Sequence, residues 1–128
     1  MSNKKIKKNY ESFLQIQIVN YLRELQKKYL FRFFHCPNEG KRKIQYMKKL
    51  KAMGMRSGVP DLILEFPNSK FIYCEIKTKT GQLSKSQKLW RVQSEILGTP
   101  FFLLKGDYND CKKVIDNIFG EYEYARIK

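Results

Sequence analysis

The sequence predicts an α/β fold in which a mixed central β-sheet is flanked by helices. Apolar residues recur at helical spacing near the N-terminus, and two strand-like runs later in the chain are joined by the short turn PNSK. Stretches of helical and strand character then alternate to the end of the chain. This order is typical of a sheet that is covered by helices.

The first predicted elements are an amphipathic helix and an aromatic strand. Apolar spacing predicts the helix from Tyr10 to about Lys28. We expect the lysine-rich residues 1–9 to form a flexible tail and residues 10–128 to form one domain. The compact run from Leu30 to Cys36 predicts a strand, and PNEG after it predicts a turn.

The middle of the chain contains a basic segment and a predicted hairpin. Lys41 to Arg56 holds seven Lys or Arg and no acid, with apolar residues that could line one side of a helix. GMRSGVP interrupts this pattern. Asp61 to Phe66 and Phe71 to Lys77 then read as two strands, and PNSK between them predicts a tight connection.

The last third of the chain alternates helix, strand and helix. Ser84, with Gln87 three residues later, has the form of a capping box and predicts a helix that continues to about Leu97. A strand follows from Phe101 to Leu104, and a final helix extends from about Asn109 to Phe119. These elements complete the predicted mixed sheet with its flanking helices.

Composition restricts the partners and the compartment. There are 26 Lys and Arg against 12 Asp and Glu, a net charge of +14, which indicates an acidic partner such as nucleic acid or an anionic membrane. Because no run approaches the length of a membrane span, we expect no membrane association. No apolar segment follows the basic N-terminus, and the three cysteines contain no CxxC pair, so we expect a cytoplasmic protein with reduced thiols.

The single histidine limits the kind of metal site. His35 is the only one in the chain, so zinc sites built on several histidines are excluded. Its position inside FRFFHC favours a packed or hydrogen-bonded strand residue over a catalytic one. Any metal site must therefore be built from oxygen ligands.

Three charges in the hairpin are expected to converge. Asp61 and Glu75 have their midpoint in the PNSK turn, so a symmetric turn places them opposite each other, and Lys77 projects from the same face as Glu75. Two close carboxylates stay ionised most readily with a cation between them, and Mg²⁺ prefers such oxygen ligands. The alternative is a salt-bridge network of Asp61, Lys77 and Glu75 that only crosses the sheet.

These residues carry a resemblance to a known family. GVPDL followed by EIK resembles the signature of the PD-(D/E)XK nucleases, and ESFLQ, PNEGKR, KKLKAMGMRSGVPDL, EIKTKTGQLSKSQKLW and GTPFFLLKG resemble in order and spacing the virus-type replication-repair nuclease (VRR-NUC) domain. The resemblance implies a restriction-endonuclease-like core and dependence on Mg²⁺ or Mn²⁺. It also implies that Asp61, Glu75 and the backbone carbonyl of Ile76 bind metal, and that Lys77 assists the attacking water.

Three further site residues follow from the same resemblance. A first-helix acid and glutamine match Glu11, as a metal-site residue, and Gln15; both lie on the inward face of the predicted helix. Glu11 could instead simply be an acid placed favourably near a helix N-terminus. Gln87 matches a glutamine near the metal centre, although the capping box explains it equally well. PNEGKR has Glu39 where the family form has glycine.

The expected substrate is DNA, bound through basic side chains that neutralise phosphates without reading sequence. The residues expected to contact it are Asn38, Lys41, Arg42, Lys43, Lys48, Lys49, Arg56, Lys79, Lys85 and Lys88. The function indicated is a structure-selective DNA endonuclease, plausible as a homodimeric Holliday-junction-type resolvase in viral or mobile-element replication and repair. The alternatives are a monomeric flap or single-strand nuclease, and a basic nucleic-acid-binding module without catalysis.

Overall fold

The computed structural model describes residues 3–37 and 43–128, and the order of its elements is the predicted one. Four helices and four strands occur in the described residues, and two of the strands, β2 and β3, are consecutive. Their bounds are α1 Asn3–Leu25, β1 Arg32–His35, α2 Ile44–Ala52, β2 Leu62–Phe66, β3 Lys70–Lys77, α3 Lys85–Leu97, β4 Phe101–Lys105 and α4 Tyr108–Glu121. A short 3-10 helix, Glu123–Ala125, follows α4.

The first helix differs from its predicted bounds at both ends. It begins at Asn3 instead of Tyr10, so residues 3–9, which were expected to form a flexible tail, have helical backbone. Extending an existing helix costs much less than starting one, and lysine is a good helix former, so the segment continues the helix without an apolar stripe. At the other end the helix stops at Leu25, before the predicted Lys28.

The sheet is mixed, as predicted, with the order β1-β2-β3-β4. The first two pairings are antiparallel and β3 pairs in parallel with β4. Asn68 (φ 68°) and Ser69 (φ 58°) turn the chain between β2 and β3, which fixes Leu62 opposite Cys74. Continued by one residue, this register places Asp61 opposite Glu75, as the midpoint of the turn predicts.

The two faces of the sheet are covered differently. One face carries buried apolar side chains of β2 and β3, which form the core together with α1 and α4. Aromatic rings close this core, for example Phe66 against Phe119 and Tyr122. The other face carries Glu75 and Lys77 and is covered by α3, whose Trp90 ring meets that of Tyr73 at a centroid distance of 5.5 Å.

The last residues of β1, β3 and β4 and the first residue of β2 lie at the same end of the sheet. β1 ends at His35, paired with Leu62 at the start of β2, and β3 ends at Lys77, paired with Lys105 at the end of β4. The residues just beyond these strand ends are therefore neighbours in space. No helix in the described part of the chain is long and apolar enough to cross a bilayer.

Candidate active site

Asp61 is held at the sheet edge by contacts from both neighbouring strands. The backbone N–H of Ile76 donates to Asp61 Oδ2 at 2.7 Å. On the other side, His35 Nδ1 lies 2.6 Å from the Asp61 carbonyl oxygen. Pro60, immediately before it, is fully buried. The aspartate carboxylate therefore has a defined position although it lies one residue outside β2.

Glu75 is the most deeply buried charged side chain at this edge, with an exposed fraction of 1%. Its Oε1 accepts a hydrogen bond from Gln87 Nε2 at 3.0 Å, whereas its Oε2 is buried without a hydrogen-bond partner. Burial, followed by the repulsion of Asp61, raises the pKa of Glu75 to about 9, and Lys77 opposes this rise. Strong perturbation of a carboxyl pKa by burial and a specific neighbour is typical of functional sites.

Gln87 caps α3 and also contacts Glu75. Its Oε1 accepts from the Ser84 backbone N–H at 2.8 Å, while its own backbone N–H donates to the Ser84 hydroxyl at 3.2 Å. This is a complete capping box at the start of α3. Nε2 of the same Gln87 amide donates to Glu75 Oε1. The cap therefore fixes the orientation in which the amide holds the carboxylate.

Lys77, Glu11 and Gln15 surround the carboxylate pair at different distances. Lys77 is half-buried and close enough to lower the pKa of Glu75, and Glu11 is close enough to raise it. Gln15 lines a cavity of about 340 Å³ between α1 and β1 that also includes His35. Among the described residues no group of three Asp, Glu, His or Cys is placed to hold a metal ion. Glu11 is near enough to the carboxylate pair to act on the charge of Glu75.

The loop before Asp61 packs closely against α3. Gly58 has φ +85°, and a Cβ there would lie 2.4 Å from the backbone oxygen of Ser86. Arg56 donates to the Gln93 side chain, and its guanidinium lies 5.1 Å from the centroid of the Trp90 ring. Arg56 was expected to contact DNA, and these contacts give it a structural role in the free protein as well.

The other basic side chains expected to contact DNA are exposed wherever they are described. These are Lys43, Lys48, Lys49, Lys79, Lys85 and Lys88. The helix α2, which carries two of them, has no buried residue. Of the predicted PNEG turn only Pro37 is described, and the predicted contacts Asn38, Lys41 and Arg42 lie outside the described residues.

Sequence reasoning missed the role of His35 in this site. FRFFHC indicated a packed or hydrogen-bonded histidine, but the sequence does not show its partner, because the contact with Asp61 joins residues 26 positions apart. The feature that could have indicated this contact is the pairing of β1 with β2, which brings His35 next to the residue that follows Asp61. His35 is a positioning residue for Asp61.

Comparison with known proteins agrees with this architecture. The family model of the VRR-NUC domain matches residues 2–107. One solved structure, described as a VRR_NUC domain protein, is similar with a TM-score of 0.65 and 22% identity, covering 84% of this chain and 86% of that one. Another, described as a VRR_NUC domain, has a TM-score of 0.58 and 18% identity and covers 84% of this chain and 95% of that one.

No curated protein matches the chain significantly. The two structural similarities, each below 25% identity, establish the fold, and the family match extends over most of the sequence and includes Asp61, Glu75 and Lys77. The chain belongs to the VRR-NUC family of nuclease domains.

Proposed function

We propose that this protein is a metal-dependent endonuclease that hydrolyses phosphodiester bonds in branched DNA, with Asp61, Glu75 and Lys77 at the reaction centre. The observation that carries the proposal is the Glu75 carboxylate, which is buried beside Asp61 with one oxygen unpartnered. An unpartnered buried oxygen and a neighbouring like charge both cost folding free energy. A divalent cation between the two carboxylates would offset both costs.

The donors at this position fit Mg²⁺ or Mn²⁺. The two carboxylates and the Ile76 backbone carbonyl would hold the ion, since all three offer hard oxygen atoms. When bound, the ion would polarise a phosphoryl oxygen and lower the pKa of the attacking water. Two carboxylates suffice, because Mg²⁺ ordinarily keeps several water or substrate oxygens.

The remaining side chains orient this centre. The Ile76 amide and the Gln87 amide each hold one carboxylate, so that Asp61 and Glu75 keep their positions when the substrate arrives. Lys77 projects from the same face of β3 as Glu75 and would orient the attacking water or bind the phosphate. Glu11 and Gln15 would complete the polar surroundings from α1.

The distribution of positive charge supports DNA as the substrate. Exposed lysines lie on α2, on the segment after β3 and on the first turns of α3, which places them on both sides of the carboxylate pair in the sequence. The helix α2 buries no side chain, so its basic residues are available for phosphate contacts. Because α2 buries no apolar side chain against the rest of the protein, its surface can contact a polyanion.

A homodimer would explain selectivity for four-way junctions, which must be cut on two strands. The helix α3 presents an exposed apolar stripe, Leu89, Val92 and Ile96, on the side away from the sheet. Contiguous exposed apolar surface of this kind marks interaction sites, and a two-fold pairing is the commonest assembly. We place a second copy of the chain on this stripe.

The proposed setting is viral or mobile-element replication and repair in the cytoplasm. Cys36, Cys74 and Cys111 are all unpaired, which is in keeping with a reducing compartment. Burial raises the pKa of the Cys74 thiol to about 12, so this cysteine packs in the core and is chemically inert.

The test compares metal-dependent cleavage of labelled four-way junction, flap and duplex DNA. With Mg²⁺ or Mn²⁺ we expect symmetric paired nicks in the junction, and with EDTA we expect none. Glu75→Gln should lower the cleavage rate by about 10²-fold or more, because it removes one metal-binding oxygen. Glu65→Gln is the matched control: Glu65 lies on the same sheet face but is paired with Arg32 away from the site, and its variant should cleave normally.

Other outcomes would replace this proposal. One-sided cutting of flaps by a single chain would identify a monomeric flap nuclease. Binding to every DNA without metal-dependent cleavage, unchanged in Glu75→Gln, would identify a non-catalytic nucleic-acid-binding module whose charges are only structural.

A further inference from the structure

A second cavity, of about 410 Å³, is lined by residues adjacent in the chain to Glu11 and Lys77, and by none of the residues assigned to catalysis. It is formed by the N-terminal half of α1, the segment that follows β3, and the turn between β4 and α4. Its volume is within the range of pockets that bind small organic groups.

The wall that α1 contributes is aromatic and open to solvent. Tyr10 and Phe13 are 65% and 61% exposed, and their separation of three residues puts both rings on one side of the helix. Aromatic side chains are normally buried because their apolar area is large. Two exposed rings side by side in a concave site form a surface that suits a flat, aromatic ligand.

The opposite wall is polar. It contains Thr78, Lys79 and Thr80, which directly follow the last residue of β3. Two hydroxyls and the backbone of this segment can donate to and accept from the edge of a heterocycle. The Lys79 ammonium is exposed and can bind a phosphate at the mouth of the cavity.

An acid at the cavity favours a neutral occupant over a phosphate inside it. Asp107 lines the cavity and caps α4, where its Oδ1 accepts from the Asp110 backbone N–H at 2.9 Å. That backbone hydrogen bond keeps the pKa of Asp107 below its usual range, and Lys79 adds to the effect. A fixed negative charge repels a phosphate, whereas a nucleobase carries no charge.

The position of the cavity connects it to the site of cleavage. Thr78 is the residue after Lys77, and Tyr10 is the residue before Glu11, so both walls continue elements of the candidate active site. The cavity is lined by residues that follow β3 and β4, which are paired neighbours in the sheet, and β3 also carries Glu75. Neighbouring strands are about 4.8 Å apart. A nucleotide next to the scissile phosphate would reach the cavity.

We propose that this cavity binds one unpaired nucleobase of the DNA, stacked on Tyr10 and Phe13, next to the phosphodiester that is cut. The proposal rests on the proposed nuclease function and adds the feature of the substrate that is selected. Branch points, flaps and mismatches supply an unpaired base at little cost, whereas continuous duplex must first be unstacked. The protein would therefore prefer DNA that has an unpaired base beside the cut.

The test measures binding in EDTA, so that it is independent of cleavage. A branched DNA carries 2-aminopurine at successive positions near the branch, and a matched DNA carries an abasic site at the position that responds. We expect the wild-type chain to quench the 2-aminopurine fluorescence at one position. The double variant Tyr10→Leu with Phe13→Leu should abolish the quenching and weaken binding by about 5- to 100-fold, the usual loss for one stacked base.

Two controls make the result specific. Tyr124→Leu changes an aromatic residue that is 54% exposed at the opposite end of the sheet, where its hydroxyl bonds the Pro67 carbonyl, and it should bind like the wild type. Phe13→Tyr keeps the ring and should retain the quenching. On abasic DNA the wild type and the double variant should bind equally, because the stacking partner is absent.

Each contrary outcome has a definite meaning. Equal losses on abasic and base-containing DNA would overturn the proposal and show that the rings make only general contacts. A changed sedimentation mass of the double variant would overturn it in favour of a protein partner at this cavity. If quenching is seen but metal-dependent cleavage is not, base binding stands and the nuclease proposal fails.

Discussion

At the scale of single residues, the central feature is a carboxyl group whose surroundings oppose its charge. Glu75 is buried beside Asp61, and Gln87 satisfies only one of its oxygens. A protein selected for stability alone would place an amide or an apolar group here, because the isolated charge is costly. The residue is therefore better explained by the ion that we propose it binds than by folding.

Glu75→Gln should stabilise the metal-free protein while strongly slowing cleavage. The folded-state pKa of about 9 lies above the value near 4.5 of an unfolded carboxyl, so the folded state binds more protons between these values. The free energy of unfolding of the wild type should therefore fall as pH rises from about 4.5 to about 9. Urea unfolding in EDTA at several pH values should show this decline in the wild type and not in the variant.

The size and the control of this effect follow from the same physics. Near pH 8 the variant should be more stable by a few kcal/mol, since each unit by which the pKa of Glu75 is raised is worth about 1.4 kcal/mol and Gln stays neutral without binding a proton. Glu65→Gln should keep the decline, because Glu75 is unchanged in this variant. The hydrogen bond from Arg32 lowers the pKa of Glu65, so the contribution of Glu65 to the pH dependence has the opposite sign. A wild-type stability that is level between pH 5 and 9 would contradict the prediction.

Gln87 allows its capping and site roles to be separated. Gln87→Glu retains a side chain that completes a capping box, but it replaces the amide donor to Glu75 by a third negative charge. We expect cleavage to fall by about 10- to 100-fold in kinetic measurements, while circular dichroism shows that the helical content is kept.

Ser84→Ala provides the opposite case. It removes the hydroxyl that accepts from the Gln87 backbone N–H and should cost about 1 kcal/mol of stability. Cleavage well below the midpoint should be nearly normal, because the Ser84 backbone N–H still holds Gln87 Oε1 and so orients the amide toward Glu75. Equal effects of both variants on cleavage would show that Gln87 acts only through the helix.

At the scale of elements, the site depends on a loop that is pressed against a helix. The segment before Asp61 contacts the start of α3 at Gly58, so the helix that carries Gln87 and the loop that carries Asp61 are one unit. The contact couples the positions of the residues that hold the two carboxylates.

Gly58→Ala tests this coupling, with Gly54→Ala as its control. Both glycines have a positive φ, but a Cβ at Gly58 would lie 2.4 Å from the Ser86 oxygen whereas one at Gly54 meets nothing within 4 Å. We expect Gly54→Ala to cost about 1 kcal/mol from backbone strain alone. Gly58→Ala should cost an additional 1–3 kcal/mol or so and should also reduce cleavage, since the loop must move away from α3.

Urea unfolding and cleavage kinetics of the two variants measure these effects. Equal destabilisation by both substitutions, with cleavage unaffected, would show that the loop contact does not position the site.

Some of this arrangement could be predicted at the scale of elements and some could not. The hairpin register followed from the midpoint of PNSK, because a tight turn fixes pairing by residue count alone. The hydrogen bonds of His35 to Asp61 and of Gln87 to Glu75 join segments whose relative placement depends on how β1 and α3 pack on the sheet. No local pattern in the sequence contains that information.

At the scale of the whole molecule, the outer face of α3 is the surface on which we propose that a second copy of the chain packs. Leu89, Val92 and Ile96 are exposed there. Val92→Lys should leave the fold intact, because the side chain is exposed, and should convert a dimer to a monomer by placing two like charges at a two-fold interface.

Sedimentation of the wild type should therefore give the mass of two chains and that of the variant the mass of one. Tyr124→Lys, a similar change on another exposed face, should remain dimeric. The monomeric variant should nick junctions on one strand at a time. A wild type that sediments as one chain would remove the basis for paired cleavage.

The sequence by itself determined the fold class, the order of the elements and the position of Asp61 opposite Glu75. These depend on periodicity, turn chemistry and residue count, which are local properties of the chain. Only the tertiary structure decided that Glu75 is buried with one oxygen unpartnered, that Gln87 both caps α3 and contacts Glu75, and that Tyr10 and Phe13 line a cavity together with Thr78 and Lys79. Burial and shared contacts arise from the packing of elements far apart in the chain, and this packing sets the chemistry of the site.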